Sequence, residues 1–112
     1  MSGEAPDITR TVLTEQVIGV LRTVRDPELP VNIYDLGLVY GIDVDPQHGR
    51  VQVRMTLTAP GCPVAESFPR SVESALHALP DVSEARVEVV WDPPWDRSRM
   101  SEAARLILGM YD

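Results

Sequence analysis

Apolar residues at Val17, Val20, Leu21 and Val24 recur at the three- and four-residue spacing that lines one face of a helix. Thr11 or Thr14 can cap its start, and Asp26-Pro27 ends it, because proline disfavours a helical residue before it. The spacing predicts a helix over about 12–25, preceded by a flexible tail of residues 1–10. Residues 26–37 follow with two prolines and no clean period. Such a connection is longer than most in compact domains, and long ordered loops are often functional. Its apolar Leu29, Val31, Ile33 and Leu36 predict that it packs down on the core.

From Leu38 the period changes to two. Leu38, Tyr40, Ile42 and Val44 fall on one face of a first strand. Val51, Val53, Met55 and Leu57 fall inward on a second, with Gln52, Arg54, Thr56 and Thr58 outward. Asp45-Pro46-Gln47-His48-Gly49 between them is turn chemistry, so the two strands form a hairpin. Ala59-Pro60-Gly61-Cys62-Pro63 breaks the alternation, and Pro63 suits the first position of a second helix. Val64, Phe68, Val72, Ala75, Leu76 and Leu79 carry that helix to about Leu79, with Pro69 expected to distort its early turns. Ala85, Val87, Val89 and Trp91 alternate along a third strand, and a last helix runs from about Ser98 to Leu108, stopping at Gly109. The order α-β-β-α-β-α predicts an α+β fold of two layers, a small three-stranded mixed sheet with helices packed on one face. The crossover through the second helix makes the third strand parallel to the second.

A length of 112 residues suits one domain, expected over 11–112. The net charge of −7, with no basic run to follow a phosphate backbone, argues against nucleic-acid binding. No apolar run approaches the roughly 20 residues of a membrane helix, and no secretory signal is seen, which points to the cytoplasm. One cysteine cannot form an internal disulfide and fits a reducing compartment. It also limits metal chemistry, since clusters take about four thiolates and a structural zinc about four Cys or His ligands. His48 and His77 have no ligand spacing. A metal or cluster handled here must be shared, transient or held by a partner.

Cys62 is the sharpest feature. Its place between a glycine and an expected helix start would let the helix dipole and free N–H groups stabilise a thiolate. Against this, a lone cysteine is usually a small buried apolar residue. Asp26, Glu28 and Asp35 make the long loop acidic. They either orient the thiol and offer oxygen ligands, or tie the loop to its own backbone. Thr58, four residues before Cys62, either lines the same edge or is solvated surface. Trp91 and Trp95 flank Asp92-Pro93-Pro94 and form either a partner-binding ridge or, for Trp91 above all, a cover for the core. No phosphate loop or nucleophile elbow is present. No histidine near Cys62 in the expected helix can serve as a general base, so a thiol enzyme is disfavoured.

The run Asp26-Pro27-Glu28-Leu29-Pro30-Val31-Asn32-Ile33-Tyr34-Asp35-Leu36-Gly37-Leu38-Val39-Tyr40 resembles the DPE…NI.DLGLVY block of the SufT-like and PaaD-like metal–sulfur cluster biosynthesis family. Thr56-Leu57-Thr58-Ala59-Pro60-Gly61-Cys62-Pro63 resembles its T.T.PGCP block, and Trp91-Asp92-Pro93-Pro94-Trp95 with Met100-Ser101-Glu102-Ala103-Ala104-Arg105 its W.PPW…MSE.AR block. The three stand in the family's order and span roughly Thr11 to Leu108. The resemblance implies the iron–sulfur assembly fold and a non-enzymatic role in assembling clusters or delivering them to recipient proteins. It carries Cys62 onto the reactive cysteine, as a metal ligand in a shared or transient site, and Asp26, Glu28, Asp35 and Thr58 onto the polar residues grouped with it. Ala59 stands where many relatives have a second threonine. The implied cargo is a transient iron–sulfur cluster, the implied partners a scaffold or recipient proteins, and a homodimer is in keeping with the family. The PaaD branch, tied to phenylacetate ring oxidation, carries extra C-terminal cysteines that this chain lacks, which argues against PaaD proper; an oxygenase accessory is the alternative reading.

Overall fold

The computed structural model describes residues 6–26, 29–58 and 67–109. The elements run α1 (Pro6–Leu21), β1 (Val39–Asp45), β2 (Arg50–Met55), α2 (Phe68–His77), β3 (Glu84–Val89) and α3 (Glu102–Leu108), with a 3₁₀ turn at Arg97–Arg99. The sheet order is β1-β2-β3, with β2 antiparallel to β1 and parallel to β3. The expected α+β class and element order are thus observed, and the parallel strands are direct neighbours. Helices α1 and α2 pack on each other and on the sheet. Leu13, Val17 and Leu21 meet Val51, Val53, Met55, Val72 and Leu76 in the core between the layers.

Helix α1 starts at Pro6, inside the segment expected as a tail, and ends at Leu21 instead of residue 25. The early end has a local cause. Thr23 and Val24 close short turns onto Val20 and Leu21, and the Thr23 hydroxyl donates to the Val20 carbonyl at 2.6 Å. Arg25 is then free to bridge Asn32, and Ile33 N–H donates to the Val24 carbonyl at 2.8 Å, so the chain leaves the helix to pair with its own loop. Helix α2 has Ser67 as its N-cap and Pro69 in its first turn, where a missing N–H costs nothing. Pro69 therefore sits in the opening turn that starts at Phe68 and does not distort the helix. The expected start at Pro63 falls in residues 59–66, outside the described segments, as does Cys62.

The hairpin turn forms as its sequence implies. His48 N–H donates to the Asp45 carbonyl at 3.2 Å, and Gly49 takes a φ of +65°, which favours glycine. Its carbonyl accepts from Ser83 and Glu84, which docks the start of β3. On the far side of β3, Glu73 of α2 accepts from Val87 N–H at 2.8 Å. One backbone donor of the outer strand is thereby occupied from the helix layer.

Two expected strand faces are corrected. The β1–β2 register steps from Val39↔Met55 to Gly41↔Arg54, so Tyr40 is the extra residue of a bulge. The bulge reverses the phase: Val39, Ile42 and Val44 pack toward the core, while Tyr40 reaches elsewhere. Thr56, expected outward and wet, is only 1% exposed. Its N–H continues the ladder to the Leu38 carbonyl at 2.8 Å, but its hydroxyl has no hydrogen-bond partner among the described residues. A buried hydroxyl left unpaired costs about 1–3 kcal/mol. Thr56→Val keeps the shape and removes the polar atom, so it should raise unfolding free energy by about 1 kcal/mol in urea titration. A loss of stability would mean that the hydroxyl is paired in solution.

Candidate functional site

The loop between α1 and β1 is a folded unit. Asp26 N–H donates to the Val31 carbonyl at 3.1 Å, and Asp26 Oδ2 accepts from Leu29 N–H at 2.9 Å. Asp26 is 6% exposed, and its carboxylate closes the first turn of the loop. Asn32 then clasps Asp35 twice: its Oδ1 accepts from the Asp35 N–H at 2.8 Å, and its Nδ2 donates to Asp35 Oδ2 at 2.9 Å. Residues 33–37 make a tight turn in which Gly37, at a φ of +78°, returns its N–H to the Tyr34 carbonyl. Ile33, Leu36 and Leu38 bury their side chains completely and root the loop in the core.

The loop is held from outside by the C-terminal segment 91–101, which we call the strap. Trp95 Nε1 donates to the Leu36 carbonyl at 2.7 Å, and Ser101 N–H donates to the Asp35 carbonyl at 2.8 Å. Tyr40, turned out by the bulge, donates its hydroxyl to the Pro93 carbonyl at 2.9 Å, and the Arg99 guanidinium lies 4.5 Å over its ring. The strap passes so close that a Cβ on Gly37 would overlap the Arg99 carbonyl. Asp96 accepts from the Ser98 N–H and hydroxyl, which shapes the 3₁₀ turn and holds the Asp96 carboxyl below its ordinary range. Ser101 caps α3, accepting from Ala104 N–H at 3.1 Å, and Gly109 ends it in the left-handed conformation.

The sequence candidates divide accordingly. Asp26 and Asp35 share the loop, each with a carboxylate oxygen hydrogen-bonded inside it. Thr58 is half-buried two residues beyond Thr56, so it continues from the bond that joins β2 to Leu38 at the loop's end. Glu28 and Cys62 lie outside the described residues. The tryptophans exchange the places expected of them: Trp91 is 41% exposed, whereas Trp95 packs against the core. A cis bond at Asp92–Pro93 lies between them. Three residues that sequence reasoning left out complete the picture. Asn32 orients Asp35, Tyr40 anchors the strap, and Thr56 carries a buried hydroxyl with no partner among the described residues. All three lie inside the quoted sequence blocks, which was the signal available. Among the described residues, no three His, Cys, Asp or Glu side chains are grouped to hold a metal ion. No described helix is long and apolar enough to cross a membrane.

The profile of the family described as "Iron-sulfur cluster assembly protein" matches residues 14–89. The chain belongs to that family. It is 46% identical over 98 residues to the Bacillus subtilis Fe-S protein maturation auxiliary factor YitW, covering 88% of this chain and 95% of that one. The Staphylococcus aureus Fe-S protein maturation auxiliary factor SufT is 41% identical over 87 residues, covering 78% of this chain and 98% of its own. Among solved structures, a domain of unknown function, DUF59, from Bacillus anthracis superposes with a TM-score of 0.84 at 37% identity. That alignment covers 94% of this chain and 99% of the other.

The strap has a pH signature. Burial pushes the Tyr40 phenol above its usual 10.0, with Asp96 adding to the shift and Arg99 opposing it. A raised phenol pKa means that neutral Tyr40 stabilises the fold below pH 10.0, and that this contribution is lost as pH rises through the higher native value. At neutral pH, Tyr40→Phe should cost about 0.5–1 kcal/mol, the net worth of one hydrogen bond. Denaturant titrations of both proteins should show that difference shrinking above pH 10.0. A difference constant through alkaline pH would refute the Tyr40 anchor.

Proposed function

We propose that this chain is an accessory factor in iron–sulfur cluster assembly or delivery, and that Cys62 is the thiolate through which it acts. The observation that carries the reading is the near full-length likeness to two proteins named as Fe-S protein maturation auxiliary factors. The chemistry of the sequence agrees with an auxiliary role. One thiolate cannot satisfy the roughly four ligands a cluster takes. The cluster is therefore cargo, held transiently with ligands from a scaffold, from a recipient protein or from a second copy of the chain. The carboxylates of Asp26, Glu28 and Asp35, with the Thr58 hydroxyl, serve as the polar surround of that thiolate. Hard oxygen donors suit iron during entry or exit, while the soft sulfur of Cys62 suits the cluster itself. No turnover chemistry is required, and the cytoplasm, with its reduced thiols, is the compartment in which such a site works.

Deletion of the gene should lower the activity of a cluster-dependent dehydratase in extracts several-fold, most of all in iron-poor growth. The wild-type chain should restore it and Cys62→Ala should not, with both proteins present at equal levels by immunoblot. Unchanged dehydratase activity in the deletion, in iron-rich and iron-poor growth alike, would sink the reading and turn attention to an aromatic-ring oxygenase system as the client.

A further inference from the structure

We propose that the outer edge of β3 is an interface for a second copy of this chain, held closed in the single chain by Glu73. The proposal stands on β2, α2 and β3 and is independent of the role given to Cys62. The sheet ends at β3 on one side. Glu84 N–H donates to the Gly49 carbonyl at 3.1 Å and Val90 N–H to the Met55 carbonyl at 2.8 Å, so the even-numbered backbone groups of β3 face β2. Those of Ala85, Val87 and Val89 alternate with them and face outward, and such an edge is a template for another strand. A groove of about 610 Å³ lies along it, with Glu73, Ala85, Arg86, Val87 and Glu88 in its lining. The edge is open to solvent.

The side chains decide which strand fits. Ala85 and Val87 pack toward the core, while Arg86 and Glu88 are exposed on the opposite face of the sheet. Two β3 strands paired antiparallel and centred on Val87 set Ala85 opposite Val89 of the second copy, and Arg86 opposite its Glu88. The two-fold axis repeats both pairs. The outward groups at 85, 87 and 89 then meet as hydrogen-bonded pairs. Arg86 and Glu88 fall between them, in the pairs where side chains are closest. Opposite charges so placed stabilise a sheet, and like charges weaken it. Sliding one strand by two residues in either direction sets Arg86 against Arg86 or Glu88 against Glu88, so charge also selects the register. Within its own chain Arg86 holds Glu84 at 2.9 Å, and Glu88 has no ion-pair partner among the described residues.

Glu73 closes this edge. Its carboxylate takes the Val87 N–H at 2.8 Å, the donor that a second strand needs at the two-fold axis. Two copies brought together would also set both Glu73 carboxylates at that axis, where like charges oppose pairing. Removing the carboxylate frees the donor and ends the repulsion. Glu73 is only partly buried, so its loss leaves the core in place.

Glu73→Ala tests this in the full chain, by sedimentation equilibrium over a concentration series and by amide hydrogen exchange. The expected result is that the wild type sediments as a single chain and Glu73→Ala as a dimer, its association tighter by about tenfold or more. In dilute Glu73→Ala the Val87 amide exchanges about tenfold faster than in the wild type, and it is protected again at concentrations where the dimer forms. Adding Arg86→Glu to Glu73→Ala sets like charges against Glu88 and disperses the dimer. Adding Glu88→Arg as well restores it. If Glu73→Ala stays a single chain at every concentration, the proposal is overturned. It is equally overturned by a dimer that survives Arg86→Glu or leaves the Val87 amide fast, since that dimer forms through another face. A wild type that associates as tightly as Glu73→Ala also overturns it. Should Glu73→Ala fail to fold, Glu73→Gln keeps the shape, removes the charge and is read against the same outcomes.

Discussion

The carbonyls of Asp35 and Leu36 emerge from a tight turn that belongs to no helix or strand, yet Leu36 is fully buried. A buried backbone acceptor must find a donor. The turn finds none within itself for these two, and the donors come from some sixty residues away, as Ser101 N–H and the Trp95 indole. Once that requirement is seen, the C-terminal segment ceases to be an appendage. It is the part of the fold that supplies donors to the Asp35 and Leu36 carbonyls where the loop sits against the hydrophobic core. The outward turn of Tyr40 at the bulge and the absence of a side chain at Gly37 serve the same closure.

Much of the scaffold could be read from the chain because it follows from local periodicity. The alternation of Val51, Val53 and Met55, the Asp45–Gly49 turn and the stop at Gly109 all appear where nearby residues place them. The misread strand faces and tryptophans share one cause, which is that distant contacts override a local pattern. Tyr40 continues the alternation of Leu38 and Ile42 perfectly well in sequence, but one inserted residue reverses its face. Thr56 reads as a wet strand residue because the cover that buries it comes from elsewhere in the fold. Trp91 and Trp95 are indistinguishable by composition, and only the position of the Leu36 carbonyl decides which one turns inward.

The candidate site was partly legible by the same standard. Asp26 and Asp35 stood out as acidic residues in a long loop, and the structure makes both of them structural in the first instance, with oxygens engaged within the loop. That does not compete with a functional role. A carboxylate whose orientation is fixed by a neighbour such as Asn32 is better prepared to meet a ligand than one free to rotate. What the sequence could not reveal is the device that fixes the loop as a body, because the strap and the loop are joined by backbone carbonyls. Backbone acceptors leave no mark on residue identity except at the donor, here a tryptophan that first reads as an interface residue.

The role proposed for Cys62 is to pass a cluster onward without holding it for long. The most direct measurement is anaerobic transfer from a cluster-loaded scaffold to an apo recipient dehydratase, followed by recovery of dehydratase activity with time. The expected result is that the wild-type chain accelerates recovery in substoichiometric amounts, and that Cys62→Ala leaves the rate at that of scaffold and recipient alone. Equal acceleration by the two proteins would contradict it.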